Sequence, residues 1–149
     1  MHDTAEVTLE LAPQARFDVI DVSQRIREEH GDVLSRFQKA LYCSYHTTAG
    51  YLEQSICNRL GNDPGSVEDF IRAFHELFPP KAGYYHDRLD QRTELSKAQR
   101  KVEPLNADSH LTYISSGLEN CVTYLHNPKQ PVFFVDLDGV NGSMRRCRR

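Results

Sequence analysis

Apolar and polar positions alternate in part over residues 7–11, and again over Phe17, Asp18, Val19, Ile20, Asp21 and Val22. A period of two predicts two strands, and Pro13 between them predicts a turn, so the pair reads as the half-buried edge of a sheet. Ser23 can cap a short helix that carries Ile26 and ends at Gly31, and residues 38–45 then read as an apolar strand. That strand delivers His46, Thr47, Thr48, Ala49 and Gly50 at its end. Beyond Gly50 the period changes. Leu52, Ile56 and Leu60 recur at every fourth position, a narrow helical stripe stopped by Gly61.

The clearest helix begins at Ser66, where Ser66-Val67-Glu68-Asp69 is a capping-box pattern ahead of Val67, Phe70, Ile71, Phe74 and Leu77. Pro79-Pro80 closes it, and the width of its apolar stripe assigns those five residues to the core. Residues 87–103 are dense in charge and predict a solvated loop with one exposed helical turn at 93–101. The run Pro104-Leu105-Asn106-Ala107-Asp108 offers helix-start chemistry, with His110, Leu111, Ile114 and Leu118 along one face of a short helix ending near Gly117. Two more strands follow at 121–126 and 132–137, with Asn127-Pro128-Lys129 as the turn between them and Asp138-Gly139 starting another. Strands first, helices in the middle and strands again at the end give an α+β sandwich, with a mainly antiparallel sheet and helices packed on it.

Length and composition narrow this further. A chain of 149 residues with 39% hydrophobic residues predicts one domain, 1–149. The formal charge is -3, from 18 basic and 21 acidic residues, but Arg145, Arg146, Arg148 and Arg149 fall in the last five positions. Without those four, 14 basic residues face 21 acidic ones, leaving -7. An acidic body with a basic tip excludes a general nucleic-acid binder, which needs Lys and Arg along a face. The longest charge-free run, residues 40–52, is 13 residues, short of the roughly 20 that span a bilayer. No membrane partner is expected, and the start, Met-His-Asp-Thr-Ala-Glu, does not resemble a signal peptide, so a cytoplasmic protein is expected. Cys43, Cys57, Cys121 and Cys147 form no Cys-x-x-Cys pair and are expected to be reduced, mostly buried thiols. There is no GxGxxG, GxxxxGK[ST] or HExxH.

Three of the seven histidines, His46, His86 and His110, sit where the chain changes from one element to another. Three imidazoles and an open fourth position make a catalytic zinc site, and Asp87 or Asp108 could orient a ring. The alternative is separate surface or core histidines. His75 flanks the apolar stripe of the best helix and reads as packing, while His2 and His30 are expected to be exposed. Thr47 and Thr48 offer hydroxyls at an expected helix start, suited either to an anion or to simple capping by Thr48. The arginine tip can grip phosphate or be disordered.

These residues together carry a resemblance. His46-Thr47-Thr48-Ala49-Gly50, Tyr85-His86-Asp87, Asn106-Ala107-Asp108-Ser109-His110-Leu111 and Asp136-Leu137-Asp138-Gly139 before the arginine cluster resemble, in order and spacing, the YjbQ-like family, UPF0047. The resemblance runs from about Val7 to Arg146. It implies an α/β sandwich assembled as a homotrimer, with His46, His86 and His110 in a cleft that binds a divalent metal, zinc or magnesium. Some family members are described as secondary thiamine phosphate synthases, which join a pyrimidine methyl diphosphate to a thiazole phosphate. On that reading His46, Glu53, His86 and His110 are catalytic, and Thr47, Thr48, Asn106, Gln130, Arg145 and Arg146 bind a phosphorylated small-molecule substrate.

The sequence also departs from the family pattern. The Asn-Glu pair expected after the first motif is replaced by Tyr51-Leu52-Glu53-Gln54-Ser55, so Glu53 is a displaced acid or the acid is lost. The Gly-Thr-Trp-Gln stretch has only Gln130 in its place, and the segment at about 88–104 reads as a charged insertion. The final strand that the family carries after the arginines has no counterpart. The alternatives to a synthase are a non-catalytic trimeric metabolite- or metal-binding protein, or a metal-dependent hydrolase in which bound water is the nucleophile.

Overall fold

The computed structural model describes residues 3–149, so the expectation for His2 lies outside the described residues. Every residue from 132 to 139 is buried, and the fold is arranged around this run. Strands β1 (Asp18–Asp21), β2 (Lys39–Cys43), β3 (Ala49–Tyr51), β4 (Cys121–Leu125) and β5 (Phe133–Asp136) form two sheets, and all their pairings are antiparallel. One sheet has the order β1-β5-β3 and the other is a β2-β4 ribbon. β5 is buried on both faces, which is why Phe133, Phe134 and Val135 read as continuous apolar sequence and not as an alternating one. The ribbon alternates: Tyr42, Val122 and Tyr124 point inward, and Leu41, Cys43, Cys121, Thr123 and Leu125 outward.

The two sheets meet where Tyr51 and Glu119 exchange backbone hydrogen bonds of 2.9 and 2.8 Å. Gly50 is required at this seam. A Cβ there would lie 2.5 Å from the Glu119 carbonyl oxygen. A hairpin of β6 (Val140–Asn141) and β7 (Met144–Arg145) follows β5, and its arginine end returns to pair Leu11 with Arg148.

Helices α1 (Val22–His30), α2 (Gln54–Arg59), α3 (Pro64–His75), α4 (Lys97–Val102) and α5 (Ala107–Ser115) complete the fold. Val67 and Ile71 on α3 are fully buried, each such side chain stabilising the fold by about 1.5–3 kcal/mol.

Several expectations are corrected. Residues 7–11 form no strand, only the bridge at Leu11, because no neighbouring strand accepts their backbone groups. Asp21, not Ser23, caps α1, and Asp63, not Ser66, caps α3, each accepting a backbone N–H three residues on. Pro64 at the first position of α3 fixes that start. The chain after Thr48 enters β3, not a helix, so Thr48 caps nothing. Leu77 and Ile114 are exposed, and the buried face of α5 is polar: Asp108, Ser109 and Thr112. The strands 121–125 and 133–136 pair with other strands and not with each other. Only Cys57 is buried; Cys43, Cys121 and Cys147 are exposed. Within residues 88–104, Ser96 and Gln99 form a full capping box that starts α4.

Candidate functional site

Residues 44–48 cross from the ribbon to β3 and are tied down where the Leu137 N–H donates to the Thr48 carbonyl at 2.9 Å. His46 is half-buried in this crossing, its ring edge-on to Phe134 with centroids 6.4 Å apart. Its Nε2 accepts the Arg149 backbone N–H at 3.3 Å, so Nδ1 carries the proton of the neutral ring. Burial and then the neighbouring Arg148 charge hold the His46 pKa below its ordinary value, against an opposing pull from Asp136.

The second motif is a single turn of 3-10 helix, Tyr85–Asp87. Asp87 Oδ1 accepts the Ala107 N–H at 3.0 Å, placing a carboxylate at the start of α5, where the helix dipole favours negative charge. That contact brings the His86 and His110 rings together, with centroids 4.7 Å apart. The His110 ring also faces the Thr47 backbone, so the third motif closes on the first. Burial, then the neighbouring His86, lowers the His110 pKa; Asp138 pulls the other way. At both His46 and His110 the surroundings thus favour the neutral ring.

Beneath the histidines lie two fully buried carboxylates at the end of β5. Arg148 Nε and Nη2 donate to both oxygens of Asp136 at 2.8 and 2.9 Å, and Nη2 also reaches Thr48 Oγ1 at 3.1 Å. Asp138 Oδ2 accepts from Asn106 Nδ2 at 2.8 Å and from Arg146 Nη2 at 2.9 Å, and its Oδ1 accepts from Asn141. Arg146 and Arg148 of the arginine tip are thus held by the two aspartates of the Asp136-Leu137-Asp138-Gly139 motif. Gly139 lets that motif pass close to Pro13, whose Cβ would stand 2.5 Å from an added Cβ.

Two buried oxygens near the histidine pair have no partner, Asp87 Oδ2 and Asn106 Oδ1. A desolvated acceptor left unpaired is costly, and a ligand N–H would satisfy it. A cavity of about 650 Å³ includes Phe37, Tyr42, Tyr51, Phe134 and Arg149 in its lining. It meets the histidine cluster through Phe134 and Arg149, both of which touch His46.

Of the residues singled out in the sequence, His46, Thr47, Thr48, His86, Asn106, His110 and Arg146 come together here. Arg145 is exposed on β7. Glu53 is exposed at the start of α2, where its Oε1 accepts from Ser55 at 3.1 Å. Gln130 lies elsewhere, accepting from Gln54 at 3.0 Å and donating to Asn62 at 3.0 Å. Among the described residues no group of three or more His, Cys, Asp or Glu side chains could hold a metal ion. His46, His86 and His110 therefore do not fit a three-ligand set within one chain: two of them pair, and the third stands against Arg149 and Phe134.

Sequence reasoning missed three participants. Arg148 is the buried member of the tip, 5% exposed, yet nothing in four similar arginines marks it. His75 donates from Nε2 to the buried Asp108 Oδ2 at 2.8 Å, and Arg16 Nη2 donates to Asp108 Oδ1 at 2.9 Å. His75 is more than the packing residue its helix position predicts, and only the buried polar face of α5 explains it.

No protein-family model and no curated protein matches the chain. Solved structures do. A hypothetical protein from Aeropyrum pernix is 21% identical over 94% of this chain and 90% of its own, with a TM-score of 0.57. A YbjQ-like protein of unknown function from Sulfolobus solfataricus is 16% identical over 94% and 88%, also at 0.57. A yjbq/upf0047 family protein from Clostridium acetobutylicum is 18% identical over 94% and 92%, at 0.54. Among the described residues no helix is long and apolar enough to cross a membrane. The chain has the fold of YjbQ-like, UPF0047 proteins, the family its four motifs resemble.

Proposed function

We propose that the surface where His46 and the His86–His110 pair meet binds a phosphorylated small molecule, and that thiamine phosphate synthesis is its specific reaction. The observation that carries this reading is the convergence of three distant motifs, with the His110 ring against both His86 and the Thr47 backbone. Neutral His46 and His110 can each donate to a phosphate oxygen or take up a proton. Arg146, partly exposed beside Asp138, supplies positive charge there, while the Arg149 guanidinium is paired with Glu10. The free acceptors Asp87 Oδ2 and Asn106 Oδ1 suit ring N–H groups, and the cavity beside Phe134 offers an apolar wall for a heterocycle.

In the synthase reaction the thiazole nitrogen forms a C–N bond as the C–O bond to diphosphate breaks. Donors aimed at the departing diphosphate would stabilise its developing charge. Of the two expected metals, zinc suits the imidazoles of His86 and His110, which would hold it, whereas magnesium prefers oxygen ligands; a bound zinc would supply Lewis-acid polarisation. A second reading, a non-catalytic binder, is favoured by the exposure of Glu53 away from the histidines. We also propose the homotrimer, supported by the exposed apolar side chains Leu77, Tyr85 and Ile114.

The test is product formation from the two thiamine precursors by the wild type and by His46→Ala, His86→Ala and His110→Ala. Product lost in all three variants supports the synthase. Binding of thiazole phosphate without product supports the binder, and neither binding nor product refutes both.

A further inference from the structure

Cys43 ends β2 and Cys121 begins β4, and the two face each other across the ribbon. Their position in the hydrogen-bond ladder is decided by their neighbours. Ser44 N donates to Asn120 O at 2.8 Å, and His126 N donates to Gln38 O at 2.8 Å at the other end of the ribbon. Hydrogen-bonded pairs alternate along an antiparallel ladder, so 38, 40, 42 and 44 belong to that class, and Cys43–Cys121 is a non-hydrogen-bonded pair. In that class the Cα atoms stand about 4.5 Å apart and the side chains approach closely, which falls within the roughly 4.4–6.8 Å that a disulfide bridges.

Two further observations, exposure and the absence of a competing thiol, point the same way. Both side chains project from the outer face of the ribbon and are exposed. The Cys121 side chain, ahead of burial, pushes the Cys43 thiol up to about 11, so exchange at Cys43 starts from a minor thiolate population. Cys57 is enclosed in the core, where its sulfur lies 3.2 Å from the Tyr124 hydroxyl, so it does not compete.

We propose that Cys43 and Cys121 form a cross-strand dithiol that is oxidised to an intramolecular disulfide by exchange with a small-molecule disulfide such as oxidised glutathione. A thiolate of the pair attacks one glutathione sulfur, forms a mixed disulfide and releases one glutathione thiolate. The facing cysteine then attacks the protein sulfur of that mixed disulfide, closes the Cys43–Cys121 bond and releases the second glutathione. Two protein thiols are oxidised, one glutathione disulfide is reduced, and the two thiol protons end on two glutathione molecules. His46 lies three residues beyond Cys43, so the new bond would pin the crossing that carries it.

The experiment treats the full chain with oxidised glutathione, quenches with an alkylating agent and maps the cysteine peptides by mass. The expected result is a Cys43–Cys121 linked peptide, 2 Da lighter than its two parts, reversed by dithiothreitol. Cys147, exposed on its own, gains only a glutathione adduct. A Cys43→Ser variant should instead accumulate a glutathione adduct on Cys121, because the resolving thiol is gone. Separate glutathione adducts on Cys43 and Cys121 in the wild type, linkage between chains, or unmodified thiols at both positions would overturn the proposal.

Discussion

Replacing Arg148 by alanine removes one partner of a fully desolvated ion pair. The guanidinium is 5% exposed and Asp136 is 0% exposed, and the bidentate contact is 2.8 and 2.9 Å. The substitution also strips a donor from Thr48 Oγ1 at 3.1 Å, where the first motif enters β3. Breaking a buried pair by removing one side costs about 3–5 kcal/mol, because the remaining carboxylate is left uncompensated. For a domain of this size each kcal/mol shifts the melting midpoint by about 2–4 °C, so a fall of roughly 10 °C is expected. Thermal unfolding followed by circular dichroism reads the shift. A companion Asp136→Asn, Arg148→Ala double variant should recover part of the loss, since no charge is then stranded. The reasoning predicts a second effect that a purely structural role would not produce. Loss of the Arg148 charge, with Asp136 unopposed, should raise the His46 pKa, measurable by NMR titration of the ring. A midpoint within 2 °C of wild type, or an unmoved His46, would refute the argument that this pair organises the site.

Four further outcomes follow from particular contacts. Gly50→Ala should cost about 1–3 kcal/mol in urea unfolding, the range for overpacking, because the new Cβ meets the Glu119 carbonyl at 2.5 Å. Metal analysis of variants should show bound zinc reduced by His86→Ala and His110→Ala and unchanged by His46→Ala; equal loss in all three would restore a three-histidine set. Stability should fall on acidification below about pH 6.5, the unfolded histidine pKa, because His46 and His110 have lowered folded-state pKa values and resist protonation. Their contribution is complete above that pH and is lost as pH falls through the folded values, so a flat profile from pH 7 to 5 would contradict it. The Cys43–Cys121 disulfide would close a loop of about 78 residues. It should stabilise the oxidised chain by about 4 kcal/mol, read as a midpoint roughly 10 °C above the reduced form.

The elements that were legible in the sequence are those fixed by short-range periodicity. Val67 and Ile71 marked the core face of α3, and the continuous apolar run from Val132 to Val135 marked β5. What was not legible depends on partners far along the chain. Asp108 looked like helix-start chemistry, yet it lies on the inner face of α5, because His75 and Arg16 arrive to pair with it. Ala49, Gly50 and Tyr51 became a strand because β5 and Glu119 offer their backbones to them. Gln130, placed at the site by motif alignment, is held elsewhere by Gln54 and Asn62. The histidine motifs were recognisable as motifs, whereas the pairing of His86 with His110 and the separation of His46 required the fold. The paired cysteines lie 78 positions apart, and only the ribbon register brings them face to face.

The central claim, that a phosphorylated small molecule binds where His46 and the His86–His110 pair meet, is tested most directly by NMR of the histidine rings during titration with thiazole phosphate. The account predicts saturable shifts of His46, His86 and His110 together, while His30 and His126 stay in place. Shifts confined to His30 and His126, or no saturable shift of the three site histidines at millimolar ligand, would contradict it.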